Sequence, residues 1–148
     1  MKIKDELPGY EKKINNEINH KSLKLTIHLY LITENVFFDL KNDRLICISV
    51  EKGTKNISCI YMRKTLSRLL KHLLNSCEGD LIKIDDLLFN VWDTYGLQSS
   101  SARLCQVMHT LKFNLNSLGV PVDFINRADN HHYKIRNDII TRLYSIHD

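Results

Sequence analysis

Two hydrophobic periods divide this chain. From Leu25 onward, short runs rich in Ile, Val, Phe, Tyr and Thr are separated by turn residues. LTIHLYLI is followed by Glu34-Asn35, VFFDL by Lys41-Asn42-Asp43, RLICISV by Glu51-Lys52-Gly53-Thr54, and KNISCIY closes the series. β-Branched and aromatic side chains suit a pleated surface, and Asn-Asp and Lys-Gly suit tight turns. These segments therefore predict four strands at hairpin spacing in a small antiparallel sheet. Nothing in them looks catalytic. A helical period then takes over: Leu66, Leu69, Leu70, Leu73 and Leu74 form an apolar stripe, Lys64, Arg68 and Lys71 fall elsewhere, and Gly79 is the expected stop. After an extended LIKI, Asp85 and Asp86 favour the start of a second helix that must bury Leu87, Leu88, Val91 and Trp92.

The most informative stretch is residues 98–118. Three serines, Ser99, Ser100 and Ser101, each able to cap a helix, precede Leu104, Met108, Leu111, Leu115 and Leu118 at spacings of four and three. A stripe of this kind by itself means only a core-packing helix with a solvated back. The chemistry of that back is less ordinary. It carries Ser99, Arg103, Gln106, Thr110 and Phe113, flanked by His109 and Lys112, and no acid occurs from Gln98 to Val122. Arg, Gln, Thr, His and Ser are residue types that hydrogen-bond base edges and phosphates. Helix, short helix, turn and long helix in this order fit a helix-turn-helix.

Gly119-Val120-Pro121 ends the long helix. Beyond it, VDFINRADNHHYKIR predicts a strand over 122–126, a polar turn over 127–131 and a return strand over 132–136, made basic by Arg127, Lys134 and Arg136. Ile139, Ile140, Leu143 and Ile146 have helical spacing, so a short C-terminal helix is expected in a tail over 137–148. At the other end, residues 1–24 form a polar, lysine-rich leader in which Ile14 and Ile18 allow a short amphipathic helix over 10–19.

Composition narrows the function classes. The 148 residues are 43% hydrophobic and 26% charged with five Gly and two Pro, which fits one globular domain plus a tail and no low-complexity segment. A net charge of +4 is compatible with a polyanionic partner and proves nothing alone. The scattered Cys47, Cys59, Cys77 and Cys105 read as reduced, mostly buried thiols of a cytoplasmic protein, with no metal site. The charged N-terminus lacks the apolar core of a secretory signal, and no apolar run is long enough to span a bilayer. There is no nucleotide loop, no H-E-x-x-H and no Ser/His/Asp elbow, so no enzyme, cofactor or small-molecule substrate is expected.

Four strands, three helices and a terminal hairpin, in that order, resemble the OmpR/PhoB-type winged helix-turn-helix. Leu87-Leu88 and Val91-Trp92 stand where that family places a leucine pair and a Val-Trp. Residues 108–115 (MHTLKFNL) are similar to its Ile-Ser-x-Leu-Arg-x-x-Leu, and His132-Tyr133-Lys134-Ile135 to its Gly-Tyr-x-Leu. The likeness covers residues 25–136. The absence of a receiver domain and the pairing of Gln106 with Thr110 look more like the ToxR/CadC branch, whose members are cytoplasmic parts of membrane-anchored activators. Asn130 and His132 replace the glycines usual in the wing turn, and Phe113 stands where a basic residue is common.

The resemblance implies an α+β fold: a winged helix-turn-helix with an N-terminal four-stranded antiparallel sheet, three helices and a C-terminal β-hairpin wing. It also implies a transcriptional regulator, an activator in that branch, that binds promoter duplex DNA sequence-specifically. RNA polymerase and a second copy, as a homodimer or in tandem on DNA, are further partners. Helix 99–116 would lie in the major groove and hairpin 122–136 would serve as the wing. Arg103 would pair with guanine or phosphate, and Gln106 with adenine. His109 and Thr110 would meet bases or backbone, and Ser99, Ser100 and Ser101 phosphate. Lys112, Arg127, Lys134 and Arg136 would supply sequence-independent attraction. His131 and His132 read as wing-tip residues near phosphate, where protonation at mildly acid pH strengthens binding. Phe113 is expected to lean onto its own domain, with contact to a thymine methyl or to a neighbouring protein as the alternatives. The alternative is a winged helix used for protein–protein contact without DNA, for which Phe113 and the modest charge speak.

Overall fold

The first four strands form where the alternation places them: β1 (Lys24–Ile32), β2 (Val36–Asp39), β3 (Arg44–Glu51) and β4 (Thr54–Tyr61). They belong to a computed structural model that describes residues 24–76 and 79–147; the helix expected over 10–19 and Cys77 lie outside the described residues. Two compact units divide the chain. One is residues 28–143; among the described residues, 24–27 and 144–147 belong to the other.

Antiparallel pairing sets Tyr30 opposite Phe38 and Phe38 opposite Leu45, with Ile32 opposite Val36. Directly opposed residues share a face, so Tyr30, Ile32, Val36, Phe38 and Leu45, all fully buried, make one inner layer. Polar anchors fasten this layer to α1 (Lys64–Leu74). Tyr30 donates to Asn75 Oδ1, and Asp43 accepts from Lys64 and, at 2.6 Å, from Ser67 Oγ. Burial tends to raise the Asp43 carboxyl, but these two donors outweigh it and hold it below the ordinary range. Leu66, Leu69, Leu70, Leu73 and Leu74 are buried on α1, as the stripe predicts. The helix starts after Arg63 without a side-chain cap and stops at Leu74, before the expected Gly79.

Next come β5 (Ile82–Lys83), α2 (Ile84–Val91), a single 3-10 turn over Asp93–Tyr95 and α3 (Ser101–Ser117). Leu87, Val91 and Trp92 are buried on α2, with Leu88 half-buried. On α3 Leu104, Met108, Leu111 and Leu115 are buried and Leu118 only half so. The end of α3 is a left-handed cap: Gly119, at φ +92°, donates to Asn116 O at 3.0 Å, and Val120 donates to Leu115 O at 3.1 Å. The segment expected to be extended from residue 122 begins as a turn, with Phe124 N bonded to Pro121 O at 3.0 Å, so β6 covers only Ile125–Arg127. With β7 (His132–Ile135) it forms a hairpin, and β5 pairs with β7 to make a three-stranded sheet in the order β5-β7-β6.

The C-terminal expectation is overturned. Residues 137–148 hold no α-helix among those described; after a 3-10 turn, β8 (Ile140–His147) is a strand beside β1. The first sheet is therefore five-stranded, not four-stranded, in the order β4-β3-β2-β1-β8. The helical spacing of Ile139, Ile140, Leu143 and Ile146 is outweighed by the partner available. Beside β1 the strand pairs its backbone, and Arg142 donates to Leu74 O at 2.8 Å and Ser76 O at 3.1 Å, satisfying carbonyls left over at the end of α1. Cys59 and Cys105 are exposed and Cys47 half-buried, so the expected burial of the thiols fails too. The whole is α+β, with three α-helices among the described residues and two antiparallel sheets.

Candidate nucleic-acid interface

Ser100 caps α3: its backbone is extended (φ −159°, ψ 155°) and its Oγ accepts from Arg103 N at 3.1 Å. Ser99 before it is half-buried, and Ser101 opens the helix in solvent. The connection from α2 is held at two points. Gly96 turns it at φ +68°, where a side chain would be strained, and the Arg68 guanidinium stacks 3.4 Å over the Tyr95 ring. The buried stripe of α3 faces inward, so Arg103, Gln106, His109, Thr110, Lys112 and Phe113 all come out exposed. Two of them also bond locally. Arg103 Nη1 donates to Gln98 O at 2.7 Å, and Thr110 Oγ1 donates to Gln106 O at 3.1 Å. Both keep further hydrogen-bonding capacity toward solvent.

The hairpin is built around Asp129. Its carboxylate accepts from His131 N at 2.7 Å and lies 2.9 Å from His132 Nδ1, and these two contacts, the backbone one first, keep its pKa below the ordinary range. Arg127 closes the turn from beneath, donating to Asp129 O at 3.2 Å and Asn130 O at 3.1 Å, with its guanidinium 5.9 Å from the centre of the Tyr133 ring. His132, expected to lend its charge to phosphate, faces the hairpin's own acid, whereas His131 is exposed.

Ser101, Arg127 and His131 come together. They line a cleft of about 570 Å³ where the start of α3, the start of α2 and the tip of the hairpin converge. Lys83, Asp85, Cys105 and Asn130 line it as well. Lys83 was not anticipated. Its place follows from β5 pairing with β7, which sets Lys83 opposite His132, and nothing in LIKI announces that partner. His109 and Lys112 lie by a second hollow of about 280 Å³ at the other end of α3, lined also by Phe113, Pro121 and Val122. Phe113 is 68% exposed and does not lean onto its own domain as expected. Lys134 and Arg136 line a third hollow on the hairpin, apart from the first cleft, with Asn137 and Asp138. Arg136 is bound by two carboxylates, Asp123 at 3.2 Å and Asp138 at 2.9 Å, which raise its pKa and occupy its charge.

Among the described residues, no group of three or more His, Cys, Asp or Glu is placed to hold a metal ion, and no helix is long and apolar enough to cross a membrane. Neither any model of a known protein family nor any curated protein matches the chain.

Proposed function

We propose that this protein is a sequence-specific, duplex-DNA-binding regulator of transcription of the winged helix-turn-helix type, with α3 as the recognition helix and the β6–β7 hairpin as the wing. The observation that carries the reading is the solvent face of α3. Arg103, Gln106, His109, Thr110 and Lys112 project along one acid-free helix, beside a hairpin tip that carries Arg127 and His131. The strand order β5-β7-β6 supports it, because it ties the hairpin after the third helix to the strand before the second. In this reading α3 enters the major groove by its N-terminal half, where Arg103 and Gln106 meet base edges. Ser100 and Ser101, at the helix N-terminus, and Lys83 and Arg127, at the cleft, take phosphate. The likeness to the OmpR/PhoB type, and within it to the ToxR/CadC branch, belongs to this proposal, as does cytoplasmic activation through RNA polymerase.

Selection from random duplex DNA at about 100 mM salt, beside an Arg103→Ala, Gln106→Ala double variant, tests the reading. An enriched motif that the double variant loses, with affinity falling steeply as salt rises, is the expected outcome. A protein-interaction module without DNA binding is the second reading. Its specific support is the exposed pair Phe113 and Val122, the latter 77% exposed, beside the second hollow. Absence of any duplex binding at low salt would favour it and sink the first.

A further inference from the structure

At about 100° per residue, the buried Leu104, Met108, Leu111 and Leu115 centre on one side of α3, and Phe113 stands about 170° from that centre. Ala102, Gln106 and His109, at helical spacing before it, run along the same outward ridge and are exposed with it. The α3 residues around the ring, His109, Thr110, Lys112, Asn116 and Ser117, are all polar. One large apolar side chain therefore stands alone on the helix among hydrogen-bonding groups. Its apolar company comes from beyond α3. The left-handed Gly119 reverses the chain, so that Val120 N bonds back to Leu115 O at 3.1 Å. Pro121 and Val122 then share with Phe113 the hollow of about 280 Å³, and His109 and Lys112 line it as well. The acid next in the chain, Asp123, is bound by Arg136 at 3.2 Å and takes no part in that lining. The hollow thus sets an apolar wall beside hydrogen-bond donors, without a carboxylate.

Of the four bases, thymine alone carries an apolar group in the major groove, its 5-methyl, next to the O4 acceptor; cytosine lacks the methyl and offers an N4 donor instead. We infer that the Phe113–Val122 hollow reads thymine: the ring and the valine methyls receive the 5-methyl group, with the donors of His109 and Lys112 to meet O4. The inference rests on the proposed duplex-DNA reading, in which this face of α3 enters the major groove, and gives a role there to a residue that reading otherwise leaves idle. A cytosine at the same place would leave the ring against water and set an amino donor against a lysine, which has no acceptor to offer. Seven residues separate Phe113 from Gln106, about 10 Å along the helix, so the thymine belongs to a different base pair from the one Gln106 meets. A protein-binding patch is a wide contiguous apolar surface, whereas polar side chains border this ring along the helix.

The test uses the motif enriched by selection from random duplex DNA. Each thymine in it is replaced singly with uracil, which removes the methyl and keeps O4, and affinity is titrated for the wild-type chain and for Phe113→Ala. At one position uracil should weaken wild-type binding about fourfold, the effect of one buried methyl group. Phe113→Ala should bind the thymine and uracil duplexes of that position equally, with an unchanged circular dichroism spectrum, since the side chain it removes is exposed. Indifference of the wild type to uracil at every position, or a preference for thymine that Phe113→Ala keeps, would overturn the inference and leave DNA binding standing. So would a Phe113→Ala variant that binds every duplex as the wild type does, which would assign the ring to a protein partner. If no duplex is bound at all, the proposed DNA reading itself fails, and the inference with it.

Discussion

Arginines that look alike in the sequence do different work here. Arg142 closes the carbonyl end of α1, Arg68 lies flat on Tyr95, and Arg127 holds the backbone of its own turn. Arg136 is bound by Asp123 and Asp138. Guanidinium groups have five fixed donors, so each can satisfy several acceptors at once; carbonyl acceptors leave the charge unmatched, as at Arg127, whereas the two carboxylates at Arg136 match it. Lys134, one strand position from Ile135, is exposed and forms no salt bridge with an acid among the described residues. On the DNA-binding reading, Lys134→Ala should weaken duplex affinity equally for all sequences and reduce the salt slope by about 1. Arg136→Ala should leave that slope unchanged. Binding titrations over a range of salt check both, and equal losses for the two variants would show that Arg136 leaves its carboxylates to meet phosphate.

At the scale of an element, α3 depends on its two ends. The start is capped by Ser100 and the finish by the left-handed Gly119. Replacing Ser100 with Ala removes the acceptor for Arg103 N and should cost about 1 kcal/mol of stability. The same change should fray the turn that carries Ser101 and Arg103, so duplex affinity should fall more than stability. Denaturant unfolding and binding measured on one preparation separate the two effects; an affinity loss with intact stability and intact amide protection at 101–104 would mean the Ser100 hydroxyl contacts DNA directly. The pattern of elements was largely legible beforehand because alternation and 3.6-residue spacing each bury one face. It failed for β8. Ile139, Ile140, Leu143 and Ile146 satisfy a helical period and are equally good strand formers, and the strand has a backbone partner in β1 that an isolated helix lacks.

Across the molecule, pH acts through α1. Burial lowers the pKa of His72 from its ordinary 6.5, and the nearby charge of Asp86 only partly opposes this. A histidine whose folded pKa is depressed leaves stability intact above the unfolded pKa; as pH falls below about 6.5 the unfolded chain takes the proton more readily and stability declines. Thermal unfolding of the whole chain should therefore show a loss between pH 7 and pH 5 that His72→Gln reduces. An unchanged slope in the variant would place the effect elsewhere.

Hydrophobic periodicity alone determined the four N-terminal strands, the three helices, the terminal hairpin and the exposed, acid-free face of α3, since each is set by neighbours a few residues apart. It also located Arg103, Gln106, His109, Thr110 and Lys112 on that face. Other features depend on partners distant in the chain. Lys83 reaches the cleft only because β5 pairs with β7, and Asp123 meets Arg136 only because the hairpin brings it there, beside the local partner Asp138. Strand β8 exists because β1 has an edge to offer. Such pairings are settled when backbone groups and charges compete for partners in the folded chain, and local spacing carries no record of that competition.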